Sequence, residues 1–372
     1  MLRLLTAGES HGPGLCGIIE GLPAGIGLSA SDIDLQLKRR QAGYGRGERM
    51  RIEADRVQIL SGVRKGRTLG SPLALLIPNK DRQKDLPAMT VPRPGHADLA
   101  GAVKYGHADL RDVLERASAR ETAMRTALSV PCRSLLAEFG VRISSRVVSI
   151  GGESDFSDPA GLSSERWERQ ASASPVRCLD TESGRRMMEA VDAAKAKGDT
   201  VGGVFEVRVW GLPPGLGSHC HWDRRLDGDL ARCLMALNGV KGVEIGSGWH
   251  NSRARGSEVH DALYWDEKAS RLTRRTNRAG GLEGGMTNGE TLVLRAAMKP
   301  PASLARPLES VDLRKRKAAA APAVRSDVCA VPAAGIIGEA LAALELADAF
   351  LLKFGGDSLE ETRSHYEASL EN

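Results

Sequence analysis

The chain has 372 residues, 41% of them apolar, enough for one large core or for two domains. Its formal charge of +5 favours anionic ligands. With only 4% aromatics and no basic run interleaved with stacking rings, it does not read as a nucleic-acid binder. No apolar run approaches the ~20 residues that span a bilayer, so no membrane partner is expected.

Taken in chain order, Leu2–Ala7 and Cys16–Glu20 read as strands, the second closed by the turn at 21–25. Ser31, with Asp34 three residues on, reads as the cap of a helix whose Ile33 and Leu37 share a face; Gly43, Gly45 and Gly47 end it in a loop. Residues 57–62 and 72–77 read as strands. Residues 109–130 read as one helix, with Val113, Ala117, Met124 and Leu128 as its apolar stripe, Arg116 and Arg120 side by side, and Pro131 as its stop. Residues 151–182 are polar, followed by a helix at 187–197, an alternating strand at 203–210 and an amphipathic helix marked by Leu226, Leu230, Cys233, Leu234 and Leu237. Glycine-rich loops at 246–256 and 279–289 precede a strand at 290–298. A basic, then alanine-rich patch at 315–323 reads as mobile, and a last strong helix spans 333–352 before Gly355-Gly356.

Cys16, Cys132, Cys178, Cys220, Cys233 and Cys329 form no CxxC pair, which suits reduced thiols in a cytoplasm. Leu2–Leu5 is too short for the apolar region of a signal peptide. Gly8-Glu9-Ser10-His11-Gly12 matches G-x-S-x-G, but a hydrolase elbow lies mid-chain with its acid and His following in order. Gly12-Pro13-Gly14-Leu15-Cys16-Gly17 matches G-x-G-x-x-G, yet the helix that should hold a pyrophosphate is replaced by Ile-Ile-Glu-Gly-Leu-Pro. His219-Cys220-His221 has no second pair at zinc-site spacing, so a polar loop is the better reading and no metal is expected.

Arg40, Arg46, Arg49 and Arg51 alternate with glycines. Guanidinium forks suit phosphate and carboxylate, and glycine lets backbone approach a ligand, so an anion site is the favoured reading over a solvated basic face. His11 and His107, each flanked by glycine and near arginines, are candidates for a general acid or, alternatively, structural histidines. Asp327 reads either as an ion-pair partner or as a proton acceptor. A nucleotide- or RNA-binding protein using its basic surface and an NAD(P)-dependent oxidoreductase are the competing classes.

Together, Ala7–Gly12, Arg40–Arg51, Arg93–Asp98, Lys104–His107, Arg116–Thr122, Asn238–Glu244, Ala279–Gly281, Met298–Pro300 and Arg325–Asp327 resemble chorismate synthase nearly end to end. The resemblance implies an α+β fold, a single-domain sandwich over 1–372 with a helical layer between two antiparallel sheets, assembling as a homotetramer. It implies a lyase that converts 5-enolpyruvylshikimate 3-phosphate to chorismate and phosphate by anti 1,4-elimination, with reduced FMN and no net redox change. Ser10, Arg40, Arg46, Arg49, Arg120 and Arg325 would bind substrate. His11 would protonate the departing phosphate, His107 would serve the reduced flavin, and Asp327 would relay the ring proton through flavin N5. Arg116, Ala117, Ser118, Asn238, Gly239, Gly284, Lys299, Pro300, Pro301, Ala302, Ser303 and Arg325 would hold the flavin. Whether the chain reduces its own flavin with NADPH, using Arg40 and Arg46 for the nucleotide phosphate, or relies on a separate flavin reductase stays open. The chain departs from the family pattern in a short 82–90 loop, in Glu48 at a position often basic, in Gly239 for a usual Ala, and at 315–323.

Overall fold

The computed structural model describes residues 2–47, 54–80, 82, 87–157, 159, 161–268, 270–323 and 327–370. One antiparallel sheet comprises β1 (Arg3–Ala7), β2 (Gly14–Glu20), β3 (Gln58–Ser61) and β4 (Leu73–Pro78), in the spatial order β1-β2-β4-β3. The other comprises β5 (Arg142–Ile150), β6 (Glu153–Ser154), β7 (Gly203–Trp210), β8 (Val240–Ile245) and β9 (Leu292–Met298), in the order β8-β9-β7-β5-β6. Strand alternation sets which side chains face inward. Leu15, Gly17 and Ile19 of β2 register with Ile77, Leu75 and Leu73 of β4, and all six are buried. Phe205, Val207 and Val209 do the same on β7.

The main helices are α1 (Ala30–Gln41), α2 (Asp98–Tyr105), α3 (Arg111–Ala117), α4 (Thr122–Glu138), α5 (Ser164–Ala173), α6 (Thr181–Ala196), α7 (Leu226–Met235), α8 (Val331–Phe354) and α9 (Leu359–Ala368). Helix α4 packs on β2 and β4 of the first sheet, α8 packs on β5 and β7 of the second, and α4, α8 and α1 pack on one another. The helices therefore form the filling between two sheets. Two glycines allow the close approach. A Cβ at Gly17 would come within 2.6 Å of Met124 Cγ, and one at Gly338 within 2.7 Å of the Phe205 ring. Helix α8 is apolar and buried on almost every side, as a helix between sheets must be.

Several details differ from the sequence expectation, for physical reasons. The α1 cap is Ser29, not Ser31. Ser29 and Asp32 cap each other reciprocally, and Leu28 and Ile33, the flanking apolar pair of a hydrophobic staple, are both buried. Residues 109–130 are not one helix: Ser118 is extended, with ψ of 139°, and separates α3 from α4. Pro131 lies inside α4 rather than ending it. Burial of Cys132, Leu135 and Leu136 beyond it outweighs the backbone hydrogen bond that proline removes. Within 315–323, Lys317–Ala320 pairs with Glu309–Asp312 as a hairpin. The 246–256 segment holds a short helix at Gly248–Asn251, and 279–289 holds the hairpin Leu282–Glu283/Met286–Thr287. Of 82–90, residues 83–86 lie outside the described residues. All six cysteines are free thiols, four of them buried. Among the described residues no helix is long and apolar enough to cross a membrane.

Candidate active site

The break at Ser118 organises the site. Helix α3 and the turn after it clasp the 8–12 loop. Ser10 N–H donates to the Glu115 carbonyl at 3.0 Å, and Ser10 Oγ donates to Ser118 Oγ at 3.1 Å. Arg116 donates to the Gly8 and Thr6 carbonyls, at 3.2 and 2.9 Å. From the other side Asn79 Nδ2 donates to the Glu9 and Gly12 carbonyls, at 3.0 and 2.9 Å. His11 faces Glu115, with Nδ1 at 2.8 Å from one carboxylate oxygen and its backbone N–H at 2.7 Å from the other.

The break also turns Arg120 away from Arg116 and into the interior, so the side-by-side placement expected of one helix does not occur. Arg120 donates to Asp55 Oδ1 at 2.6 Å and to Asn79 Oδ1 at 3.0 Å. Beside it lies Arg40, 3% exposed, donating through Nε to Thr122 Oγ1 and through Nη2 to the Ala119 carbonyl, each at 3.0 Å. Its Nη1 is buried without a hydrogen-bond partner, 3.7 Å from Asp55 Oδ2. Burial is the largest influence on Arg40 and pushes its guanidinium down to about 10. Asp55 opposes that fall, while Arg46 and Arg120 add to it. Arg46 pairs with Asp327, whose other oxygen accepts from the Gly47 N–H at 2.7 Å. Arg49 and Arg325 lie outside the described residues.

The residues named for the flavin border this cluster. Asn238 Nδ2 donates to the Ala117 carbonyl at 3.1 Å, and its Oδ1 is buried with no hydrogen-bond partner. Gly239, at φ 87°, accepts from the Lys299 N–H at 2.9 Å, tying the 299–303 segment to this turn. That segment is anchored further along. Thr200 donates to the Pro301 carbonyl at 2.8 Å, Arg93 donates to Ser303 Oγ at 3.0 Å, and Lys299 Nζ donates to the Gly95 carbonyl. Pro300 follows Lys299 directly, and Ala302 lies against Gly95. A flavin fits this border. It offers a buried acceptor in need of a donor, a hydroxyl on Ser118, and a cation at Lys299. His107 lies exposed just past α2, with Nδ1 3.6 Å from Asp112. Gly284 sits in the turn of the 282–287 hairpin, and nothing among the described contacts ties it to the cluster. His221 pairs with Asp223, and Cys233 is buried on α7, apart from that pairing. Among the described residues no group of three or more His, Cys, Asp or Glu could hold a metal.

Asp55, Asn79 and Glu115 have no assignment from the sequence. Asp55 follows no motif, and Glu115 precedes one by a single residue. The cluster at Arg93, His96 and Asp98 carries a recognisable motif without a role. Here Asp98 is fully buried; burial acts to raise its carboxyl, and hydrogen bonds from His96 and Arg93 overcome this and hold it well below the usual carboxylate range. Its work is to fix Arg93, and through it Ser303.

Fold and site together define an α+β protein whose sheet-and-helix sandwich surrounds buried guanidinium groups suited to an anionic ligand. The sequence profile described as chorismate synthase matches residues 2–351. Chorismate synthase of Symbiobacterium thermophilum is 54% identical, with 100% of this chain and 99% of that protein covered. That of Pelobacter propionicus is 51% identical at the same coverage. A crystal structure of chorismate synthase superposes with a TM-score of 0.82 at 43% identity, covering 100% of this chain and 97% of the other. The chain belongs to the chorismate synthase family, and it is a lyase.

Proposed function

We propose that the chain converts 5-enolpyruvylshikimate 3-phosphate to chorismate and inorganic phosphate, the last common step of the shikimate pathway, with reduced FMN bound at the Ser118–Asn238–Lys299 border. The observation that carries this reading is Arg40, a fully buried cation with one unpartnered N–H and a depressed pKa. Arg40 lies beside Arg120, which also pairs with Asp55, and Arg46 adds to the depression of its guanidinium. A buried cation with an unsatisfied N–H gains from an anion, and this substrate carries a phosphate and two carboxylates.

In the elimination the ring C–H bond breaks and its electron pair forms a new double bond. The existing double bond shifts, and the C–O pair leaves with phosphate. Reduced FMN, when bound, supplies transient electron density without net oxidation. Arg40 and Arg120 hold the substrate's anionic groups on rigid supports. Imidazolium His11 donates a proton to the phosphate oxygen as it departs. Asp327 is oriented by Arg46 and the Gly47 amide; an anion that draws on Arg46 frees a carboxylate oxygen to take up the ring proton. His107, exposed just past α2, serves the cofactor side. The first sheet exposes Leu5, Ile18 and Leu60 on its outer side, which supports assembly of copies into the homotetramer; light scattering giving one chain mass would remove that part.

The decisive experiment is an anaerobic assay with 5-enolpyruvylshikimate 3-phosphate and dithionite-reduced FMN, following chorismate absorbance and phosphate together. Equal yields that depend on reduced flavin are expected. Failure to bind FMN even with substrate present overturns the reading. Replacing dithionite by NADPH separates a self-reducing enzyme from one that uses a separate flavin reductase.

A further inference from the structure

We propose that Glu115 is the positioning residue that sets the tautomer and orientation of His11; this rests on the reading of His11 as the acid for phosphate departure. The two side chains are 17% and 16% exposed, so the pair is largely withdrawn from water. One carboxylate oxygen meets His11 Nδ1 at 2.8 Å and the other accepts the His11 backbone N–H at 2.7 Å. The same residue's carbonyl accepts the Ser10 N–H at 3.0 Å. A single residue of α3 thus holds the ring, the backbone beneath it and the residue before it.

An ionised carboxylate only accepts hydrogen bonds, so the imidazole nitrogen facing it carries the proton. Nδ1–H is then fixed, and Nε2 is the nitrogen that exchanges a proton with substrate. When His11 is doubly protonated, Glu115 faces the imidazolium charge. When Nε2 gives its proton to the leaving phosphate, Nδ1–H stays where it was and the ring does not turn. Carboxylate–imidazole pairs do this work wherever a histidine must present one nitrogen in one direction.

Glu115→Gln tests it. An amide keeps the size but has one acceptor oxygen, so it cannot serve both the backbone N–H and Nδ1–H, and its NH2 group favours the wrong tautomer. With reduced FMN and 5-enolpyruvylshikimate 3-phosphate, kcat is expected to fall ~10–100-fold with KM changed less than about threefold. Glu115→Asp, which retains the charge, is expected to recover part of kcat. In a His11→Asn background, Glu115→Gln is expected to add no further loss, because it acts through the ring. A Glu115→Gln enzyme within about twofold of the parent kcat overturns the proposal, as does a full additional loss in the His11→Asn background. His11→Asn with undiminished turnover instead overturns the acid role of His11 itself. If Glu115→Gln does not fold, 15N spectra of the parent imidazoles decide, with the His11 signal assigned by its absence in His11→Asn. An Nδ1-protonated ring is expected, and an Nε2-protonated one refutes the proposal.

Discussion

Arg40→Met separates a cation kept for ligand binding from one kept for stability. The fall of the guanidinium from 12.5 to about 10 means that the charged form costs ~3 kcal/mol in this site relative to water. Because the folded-state value is depressed, that cost is present at every pH below about 10. Substitution also removes two hydrogen bonds, to Thr122 Oγ1 and the Ala119 carbonyl, worth ~1 kcal/mol each. The Ala119 carbonyl and Asp55 Oδ1 keep partners, while Asp55 Oδ2, buried without a hydrogen bond already, loses only the 3.7 Å approach of Arg40. Thr122 Oγ1 still donates to the Ala119 carbonyl at 2.6 Å, and Asp55 keeps Arg120 at 2.6 Å. The terms nearly cancel, so urea unfolding of the ligand-free protein is expected to differ by no more than ~1 kcal/mol, against the ~3–5 that breaking a buried ion pair usually costs. Turnover should meanwhile fall ~100-fold or more in kcat/KM, and inorganic phosphate should stabilise the parent more than the variant. A ligand-free loss above ~2 kcal/mol, or equal stabilisation of both by phosphate, refutes the reasoning.

Glu339 sits fully buried in α8 and receives Arg39, Arg133 and Ser145, with Arg177 at 3.5 Å. Burial acts to raise its carboxyl, but Arg39, Arg133 and Arg177 overcome this and hold it at about 2. A depressed carboxyl contributes stability above pH ~4.5 that is lost as pH falls through about 2. Glu339→Gln should therefore cost ~3 kcal/mol at pH 7 in denaturant unfolding, narrowing below pH 4.5; a gap unchanged with pH contradicts this. Glu345 is the reverse case. Burial, with smaller contributions from Asp229 and Asp348 and against Arg232, pushes it up to about 7. The folded state then holds the extra proton, so stability falls as pH rises from ~4.5 to 7. Glu345→Gln should raise the Tm at pH 8 by an amount equivalent to as much as ~3 kcal/mol and leave it unchanged near pH 4, and thermal scans at both pH values check it. Asn238→Ala removes the buried Oδ1 and should weaken FMN binding ~10-fold in a fluorescence titration; an unchanged affinity takes Asn238 out of the flavin site.

Much of the frame was legible because it depends on short-range patterning. Alternation predicts the strand at 203–210 to the residue, and a largely apolar stretch between Pro332 and Gly355-Gly356 predicts the long helix, placed at 333–352 and found at Val331–Phe354. The errors came where tertiary contacts outvoted local preference. Pro131 is tolerated because the chain beyond it is needed in the core, and the helix expected through 118 is interrupted so that Ser118 can meet Ser10. Nothing local announces Asp55. Its role exists only because Arg40 and Arg120, 80 residues apart in the chain, converge on it.

The amino-acid sequence by itself determined most of the individual strands and helices, the family resemblance that implied the two-sheet α+β sandwich, and the presence of arginines and glycines suited to an anion. Only the tertiary structure decided what each arginine does. Arg39 and Arg40 are neighbours in α1, yet Arg39 pairs with Glu339 while Arg40 enters the Asp55 cluster. Successive helical residues project about 100° apart, so which one meets Glu339 and which one enters the Asp55 cluster is set by what packs on each side of the helix.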